Sequence, residues 1–288
     1  MIKKFTFSGH ESFQCRQLWL KKGYDYIKSG KSFNDEDSVV QLGVGKNMVV
    51  SVRFWMKAFG LLTQDDQLTP IAMKLLDDEG WDPYLEDEGS LWLLHYMLVK
   101  NDFASTYSIV FNELRREKIE FTKVNFISFM KRKSESEKSF QINEKTLNED
   151  FSVLAKMYLR SNAQSKDRED SFSGLLTELG LIKSYAKDKE DFFVIENSER
   201  TEIPAEIILY AILDNEEFDL SLSLTTIEQN SNSVGTVFAI NRPGLYNKIE
   251  NLTTKFPNII FNDHAGIKEI QFKKKPSAYS ILDKYYAN

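Results

Sequence analysis

The stretch Phe7-Ser8-Gly9-His10-Glu11-Ser12-Phe13, followed closely by Arg16, carries the densest set of reactive side chains in the chain. An imidazole and a carboxylate can move protons, and a guanidinium can grip a phosphate through parallel hydrogen bonds. Adjacent side chains point in different directions, so His10-Glu11 is not a dyad by spacing alone. A plainer chemistry is open to the same residues: a capping and hydrogen-bond cluster, with Ser8 or Glu11 at a helix start and His10 bonded to backbone.

A second set lies in residues 33–62. From Lys46 onward, Met48, Val49, Val52, Trp55, Met56 and Phe59 fall on one helical stripe. Lys46, Asn47, Val50, Arg53, Phe54 and Lys57 fall on the opposite face. Cations hold phosphate, and Asn or Arg can read base edges, so the pattern suits the reading helix of a helix-turn-helix. An ordinary helical hairpin with a solvated charged face shows the same pattern.

Several elements must position these groups. Asn34 is expected to cap a short first helix, with Asp37 as a variant capping box, and Gly43 and Gly45 bracket the turn. A helix is expected from about Ser12 to Lys28. Leu61-Leu62-Thr63, a polar Gln64–Gln67 turn and Leu68 make a small hairpin, and Pro70 opens the next helix. The hairpin's Asp65-Asp66 makes it a poor phosphate binder. Any DNA contact is therefore expected through Lys46, Asn47, Arg53 and Lys57.

Further along, Ser90–Val99 is apolar nearly all round and reads as a buried helix holding a structural His95. Helices follow at Thr106–Leu114, with a solvated Arg115–Lys118 end, and at Lys123–Lys131, capped by Thr122. Lys131–Lys138 reads as a mixed-charge loop and Thr146–Leu159 as a helix. Arg160–Ser171 is polar and unpatterned, and is expected to be mobile. Phe172–Ile182 reads as a helix ending at Gly180, before a hairpin around Lys187–Glu190. The last third gives helices at Pro204–Leu213, Ser223–Glu228 and Pro243–Lys255. A hairpin around residues 262–266 and a Ser277–Tyr286 helix close the chain. The expected fold is mainly α with small β-hairpins (α+β) and tandem winged-helix-like domains: a winged-helix domain at residues 1–85, a helical middle domain with a winged-helix-like end at 86–200 and a winged-helix-like domain at 201–288.

The 288 residues are 42% hydrophobic and 28% charged, with a formal net charge of −6. That balance excludes a uniformly basic nucleic-acid coat and leaves local patches. Cys15 is the single cysteine, which excludes an intrachain disulfide and a Cys-rich zinc site. No signal peptide or membrane-length apolar run is visible, so the expected location is cytoplasmic. Phosphate-binding Gly-Lys loops, dinucleotide Gly motifs, Gly-x-Ser-x-Gly and His-Glu-x-x-His are absent. Asp263-His264 fits turn chemistry.

Three runs together carry a resemblance: Phe7–Phe13, Trp19-Leu20-Lys21-Lys22-Gly23 and Leu42–Met48. It continues at Leu91-Trp92-Leu93-Leu94-His95-Tyr96 and Thr146-Leu147-Asn148-Glu149-Asp150. The sequence resembles a bacterial domain family of unknown function from DNA phosphorothioation and phage-defence clusters, whose SspB-type members are described as DNA-nicking components. The resemblance implies DNA as partner, alongside a cysteine desulfurase, a phosphoadenosine-phosphosulfate-reductase-like protein and an ATPase. It implies nicking with a divalent metal, Mg2+ or Mn2+. The family's opening motif falls on Ser8, Gly9, His10 and Glu11, and its Arg on Arg16. His10, Glu11 and Arg16 are thus the candidate catalytic residues, with Ser8 beside them as a DNA contact. A non-enzymatic DNA-binding adaptor and a protein-protein scaffold are the alternative readings.

Overall fold

Residues 5–18 form no helix, because the backbone there cannot be helical. Ser8, Gly9, Glu11 and Ser12 have φ of 69°, 93°, 48° and 64°, outside the right-handed helical region. The helix expected from Ser12 therefore begins only at α1, Trp19–Lys28. The computed structural model describes residues 5–137, 143–160, 173–215, 218–264 and 266–287, and the chain divides into two compact units, Met1–Ile195 and Glu196–Asn288.

In the first unit, α2 (Ser38–Leu42) starts later than expected. Its N-cap is Asp37, with no side-chain cap bond. Asn34 does not cap it: the turn before α2 is closed by Asp35, whose Oδ2 accepts from the Ser32 amide at 2.8 Å. Gly43, with φ of 63°, ends α2, a conformation that suits glycine. α3 (Lys46–Ala58) buries Val49, Val52, Trp55 and Met56 as the periodicity requires. It packs on α1 where Gly23 leaves room: a Cβ there would meet Val52 Cγ1 and Met56 Cγ at 3.0 Å. The following hairpin is minimal, a single Leu62–Leu68 bridge. The Thr69 side chain then caps α4 (Pro70–Leu76).

α5 (Glu88–Asn101) is the buried helix expected, capped by Asp87. His95 is fully buried and bonded to the Tyr158 hydroxyl at 2.8 Å. α6 (Ser105–Ile109) passes through a π-helical turn, Val110–Leu114, into α7 (Arg115–Glu117); of the expected solvated end Arg116, Glu117 and Lys118 are exposed and only Arg115 is buried. After β1 (Glu120–Thr122), α8 (Lys123–Glu137) runs through the stretch expected to be a loop. Ion pairs fix that extension: Lys131 to Glu144 at 2.8 Å, Arg132 to Glu117 at 2.7 Å and Lys133 to Glu113 at 2.7 Å. α9 is Glu144–Tyr158, capped by Asn143. Of the Arg160–Ser171 stretch expected to be mobile, Arg160 pairs with Glu178 at 2.7 Å and the rest lies outside the described residues.

The helix expected at Phe172–Ile182 shrinks to one 3-10 turn, Thr177–Leu179. Here the chain is pinned tightly. The Leu175 amide donates to the Cys15 carbonyl at 2.9 Å. A Cβ on Gly174 would lie 2.4 Å from the Lys156 carbonyl. β2 (Lys183–Lys187) and β3 (Glu190–Val194) form the expected hairpin, and β1 adds to it in the order β1-β3-β2.

The second unit repeats this connectivity. α10 (Ala205–Asp214) is followed by β4 (Ser221–Ser223), α11 (Leu224–Gln229), α12 (Val234–Val237) and α13 (Arg242–Lys255). The hairpin β5 (Ile259–His264) and β6 (Ile267–Phe272) and a closing α14 (Ala278–Tyr286) complete it. The sheet order is β4-β6-β5. Ile208, Leu245, Ile249, Leu252, Ile270 and Leu282 are buried in its core. The fold is mainly α with small antiparallel β elements. Among the described residues no helix is long and apolar enough to cross a membrane.

Candidate nucleic-acid interface

The Ser8–Phe13 segment is a strap tied to α9. Asp150, buried on α9, accepts from the Ser8 amide at 2.9 Å and from His10 Nε2 at 2.8 Å through Oδ1. Its Oδ2 accepts from the Thr106 hydroxyl at 3.0 Å. His10 Nδ1 accepts from the Ser12 amide at 3.2 Å, which leaves the ring proton on Nε2, facing the carboxylate. Both ring nitrogens are therefore engaged. The ring is 4% exposed and lies against Trp55 and Phe54, with centroids 6.1 and 5.6 Å away. The adjoining cavity holds about 10 Å³, too little for a phosphodiester.

The other members of the expected catalytic set are elsewhere. Glu11 is exposed at the turn that the Phe13 amide closes on the His10 carbonyl at 2.8 Å. The Arg16 guanidinium lies over the Trp19 ring at 5.2 Å and the Phe13 ring at 5.8 Å. Ser8 is exposed and uses its backbone to hold Asp150. Sequence reasoning missed Asp150 as the partner of His10, and Thr106 as a further donor to Asp150. The one available signal was that Asp150 closes the Thr146–Asp150 run.

The polar face of α3 splits into two halves. Lys46 and Asn47, in the first turn, are exposed, and among the described residues their side chains meet no hydrogen-bond or ion-pair partner. Val50, one turn on, is 44% exposed. Phe54, assigned by periodicity to this face, is buried instead, because the strap covers it: a Cβ on Gly9 would lie 2.8 Å from Phe54 Cδ2. Arg53 and Lys57 converge on Asp66 of the hairpin. Arg53 donates from Nε to Oδ1 at 3.0 Å and from Nη2 to Oδ2 at 2.6 Å. Lys57 Nζ lies 2.9 Å from Oδ1 and also donates to the Gln64 carbonyl at 2.7 Å. Burial alone would raise the Asp66 carboxyl; the bonds and charges of Arg53 and Lys57 outweigh it and hold the group below the usual carboxylate range.

α9 and α13 occupy the place in their repeats that α3 occupies in the first 76 residues, but their chemistry differs. α9 carries Glu144, Glu149 and Asp150 against Lys145 and Lys156. On α13, Arg242 pairs with Glu228, Lys255 with Glu206 at 2.8 Å, and the buried Lys248 donates to the carbonyls of Thr201 and Ile203. α3 has three cations and no acid.

Comparison with known proteins follows from this geometry. The profile of a family described as "Protein of unknown function (DUF4007)" matches residues 7–286. The chain belongs to this family. Two solved structures are similar to it, each covering 98% of this chain and 88% of its own. One, described as the SspB crystal structure, is 30% identical with a TM-score of 0.86. The other, described as magnesium ion-bound SspB, is 28% identical with a TM-score of 0.87. Among curated proteins none matches. The resemblance carried by Phe7–Phe13 and Leu42–Met48 is thus to the family that the whole chain matches.

The Mg2+ or Mn2+ implied by that resemblance needs converging hard ligands. Among the described residues no three His, Cys, Asp or Glu side chains come together. Asp150, the acid nearest the expected catalytic set, has its oxygens directed at Ser8, His10 and Thr106. This donor set does not fit a catalytic divalent ion.

Proposed function

We propose that this chain is the DNA-binding component of a bacterial DNA phosphorothioate modification and phage-defence system, and that it engages duplex DNA through the first turn of α3. The similarity to SspB supports the system. The observation that carries DNA binding is the composition of α3: Lys46, Arg53 and Lys57 with no acid, and the side chains of Lys46 and Asn47 exposed at its start with no partner among the described residues. In helix-turn-helix proteins the N-terminal residues of the second helix contact base edges while cations hold the backbone. The repeated order helix, strand, helices, hairpin, with the first strand pairing the third, also follows the winged-helix plan.

In this reading the chain holds DNA for the cysteine desulfurase, the phosphoadenosine-phosphosulfate-reductase-like protein and the ATPase of the same system. The alternative in which His10, Glu11 and Arg16 cut a strand has less support, since both His10 ring nitrogens are bonded and the Arg16 guanidinium lies over the Trp19 and Phe13 rings. Fluorescence anisotropy on a labelled duplex tests the proposal. A Lys46→Ala, Asn47→Ala variant should bind more weakly, and its salt dependence should flatten by about one unit for the lost cation. Unchanged affinity and slope would refute α3 as the contact.

A further inference from the structure

Asp66 is gripped jointly by Arg53 and Lys57 of α3. Its two oxygens sit in the fork of the Arg53 guanidinium while the Lys57 ammonium approaches Oδ1. Two oxygens sharing one negative charge, met by a planar fork and a point charge, is also how Arg and Lys hold a phosphodiester. The pair remains solvent-accessible: the Arg53 side chain is 35% exposed and Asp66 21%. Its neighbour Asp65 is fully on the surface, so the hairpin turns one of its two acids inward. A φ of 59° at Asp66 supplies that turn, with the Asp66 amide donating to the Thr63 carbonyl at 3.2 Å.

We infer that Asp66 is a specificity-determining residue that lowers the affinity of α3 for DNA backbone by acting as an internal phosphate surrogate. This rests on the reading of α3 as the DNA contact. Phosphate contacts supply nearly all non-specific affinity. A carboxylate shared by Arg53 and Lys57 occupies donors of both and cancels one of their two positive charges, which weakens that general attraction. Binding then depends on Lys46 and on the groups able to meet base edges, Asn47 through its amide and Val50 through its methyls.

The test uses full-length protein and a labelled duplex across a salt series. Asp66→Asn is close in shape, and Asn tolerates a left-handed φ; Asp66→Gly is the second variant, free of strain at that φ. Both should bind tighter at 0.1 M salt, by roughly 8-fold if one cation transfers to phosphate and 60-fold if both do, with a slope steeper by about 0.9 to 1.8. Adding Arg53→Ala and Lys57→Ala to either variant should erase the gain. If both variants bind like the parent, or more weakly, while Lys46→Ala, Asn47→Ala weakens binding, the role of Asp66 is overturned and the α3 contact stands. If none of these substitutions changes binding, the α3 reading fails and this inference with it.

Discussion

An Asp150→Ala substitution would strip the strap of its anchor. Asp150 accepts three bonds, from the Ser8 amide, His10 Nε2 and the Thr106 hydroxyl, at 2.8–3.0 Å in a site where His10 and Asp150 are each 4% exposed. Removing one partner of such a buried polar group costs about 3–5 kcal/mol, because the donors left behind have lost water and gained nothing. For a unit of this size that lowers Tm by about 6–20 °C, at roughly 2–4 °C per kcal/mol. Asp150→Asn is the informative contrast. Its carboxamide oxygen can still accept from Ser8 and His10, and its NH2 can donate to the Thr106 hydroxyl, so only the charge assistance is lost, about 1 kcal/mol. Urea titration followed by tryptophan fluorescence measures both, with Trp55 as reporter against the His10 ring. Equal losses from Ala and Asn, or losses below about 1 kcal/mol from both, would refute the account of the strap. A stably folded Asp150→Asn protein that had lost a nicking activity shown by the parent would refute it differently, by making His10 a chemical group.

Gly9→Ala should lose at least about 1–2 kcal/mol in the same titration, since φ is +93° and the new methyl would sit 2.8 Å from Phe54 Cδ2; a stabilised variant would contradict that. Cys15 gives a pH signature. Burial pushes its thiol well above the ordinary range, so the unfolded chain ionises first. Stability then falls as pH rises above about 8.5, by up to about 1.4 kcal/mol per pH unit. Buried Tyr107 and Tyr158, raised in the same direction, add to the fall from about pH 10. Cys15→Ala should flatten the decline between pH 8.5 and 10; an unaltered slope would show that another group sets it.

Elements with strong periodicity were legible from sequence: α3 and α5 by their apolar patterns, α4 and α10 by Pro70 and Pro204, and the β2–β3 and β5–β6 hairpins by their turns. What could not be read depended on distant partners. The Ser8–Ser12 backbone is bent into positive φ by bonds to Asp150, 140 residues from His10. Phe54 falls on the polar face of an isolated helix and is buried only because the strap lies over it. The helical path of residues 131–137 rests on ion pairs to Glu113, Glu117 and Glu144, none of which a local window contains. Within the candidate site, Lys46 and Asn47 stand where periodicity put them. The capture of Arg53 and Lys57 was not readable, because it depends on the backbone conformation of a single turn residue, Asp66.

The repeated architecture sharpens that point. One plan presents a last long helix before a hairpin at α3, α9 and α13, so connectivity alone cannot say which of them meets a partner. Charge and burial separate them. α9 turns Asp150 inward to hold the strap and carries more acid than base. α13 has its cations bound to Glu228, Glu206 and two backbone carbonyls. α3 alone of the three has cations without acids, and even there Asp66 answers two of the three. On the proposal that α3 meets DNA, a chain with a net charge of −6 that keeps a single exposed cation and one amide on the first turn of that helix would grip backbone weakly. Such a surface would take its placement from base contacts and neighbouring proteins rather than from coating DNA.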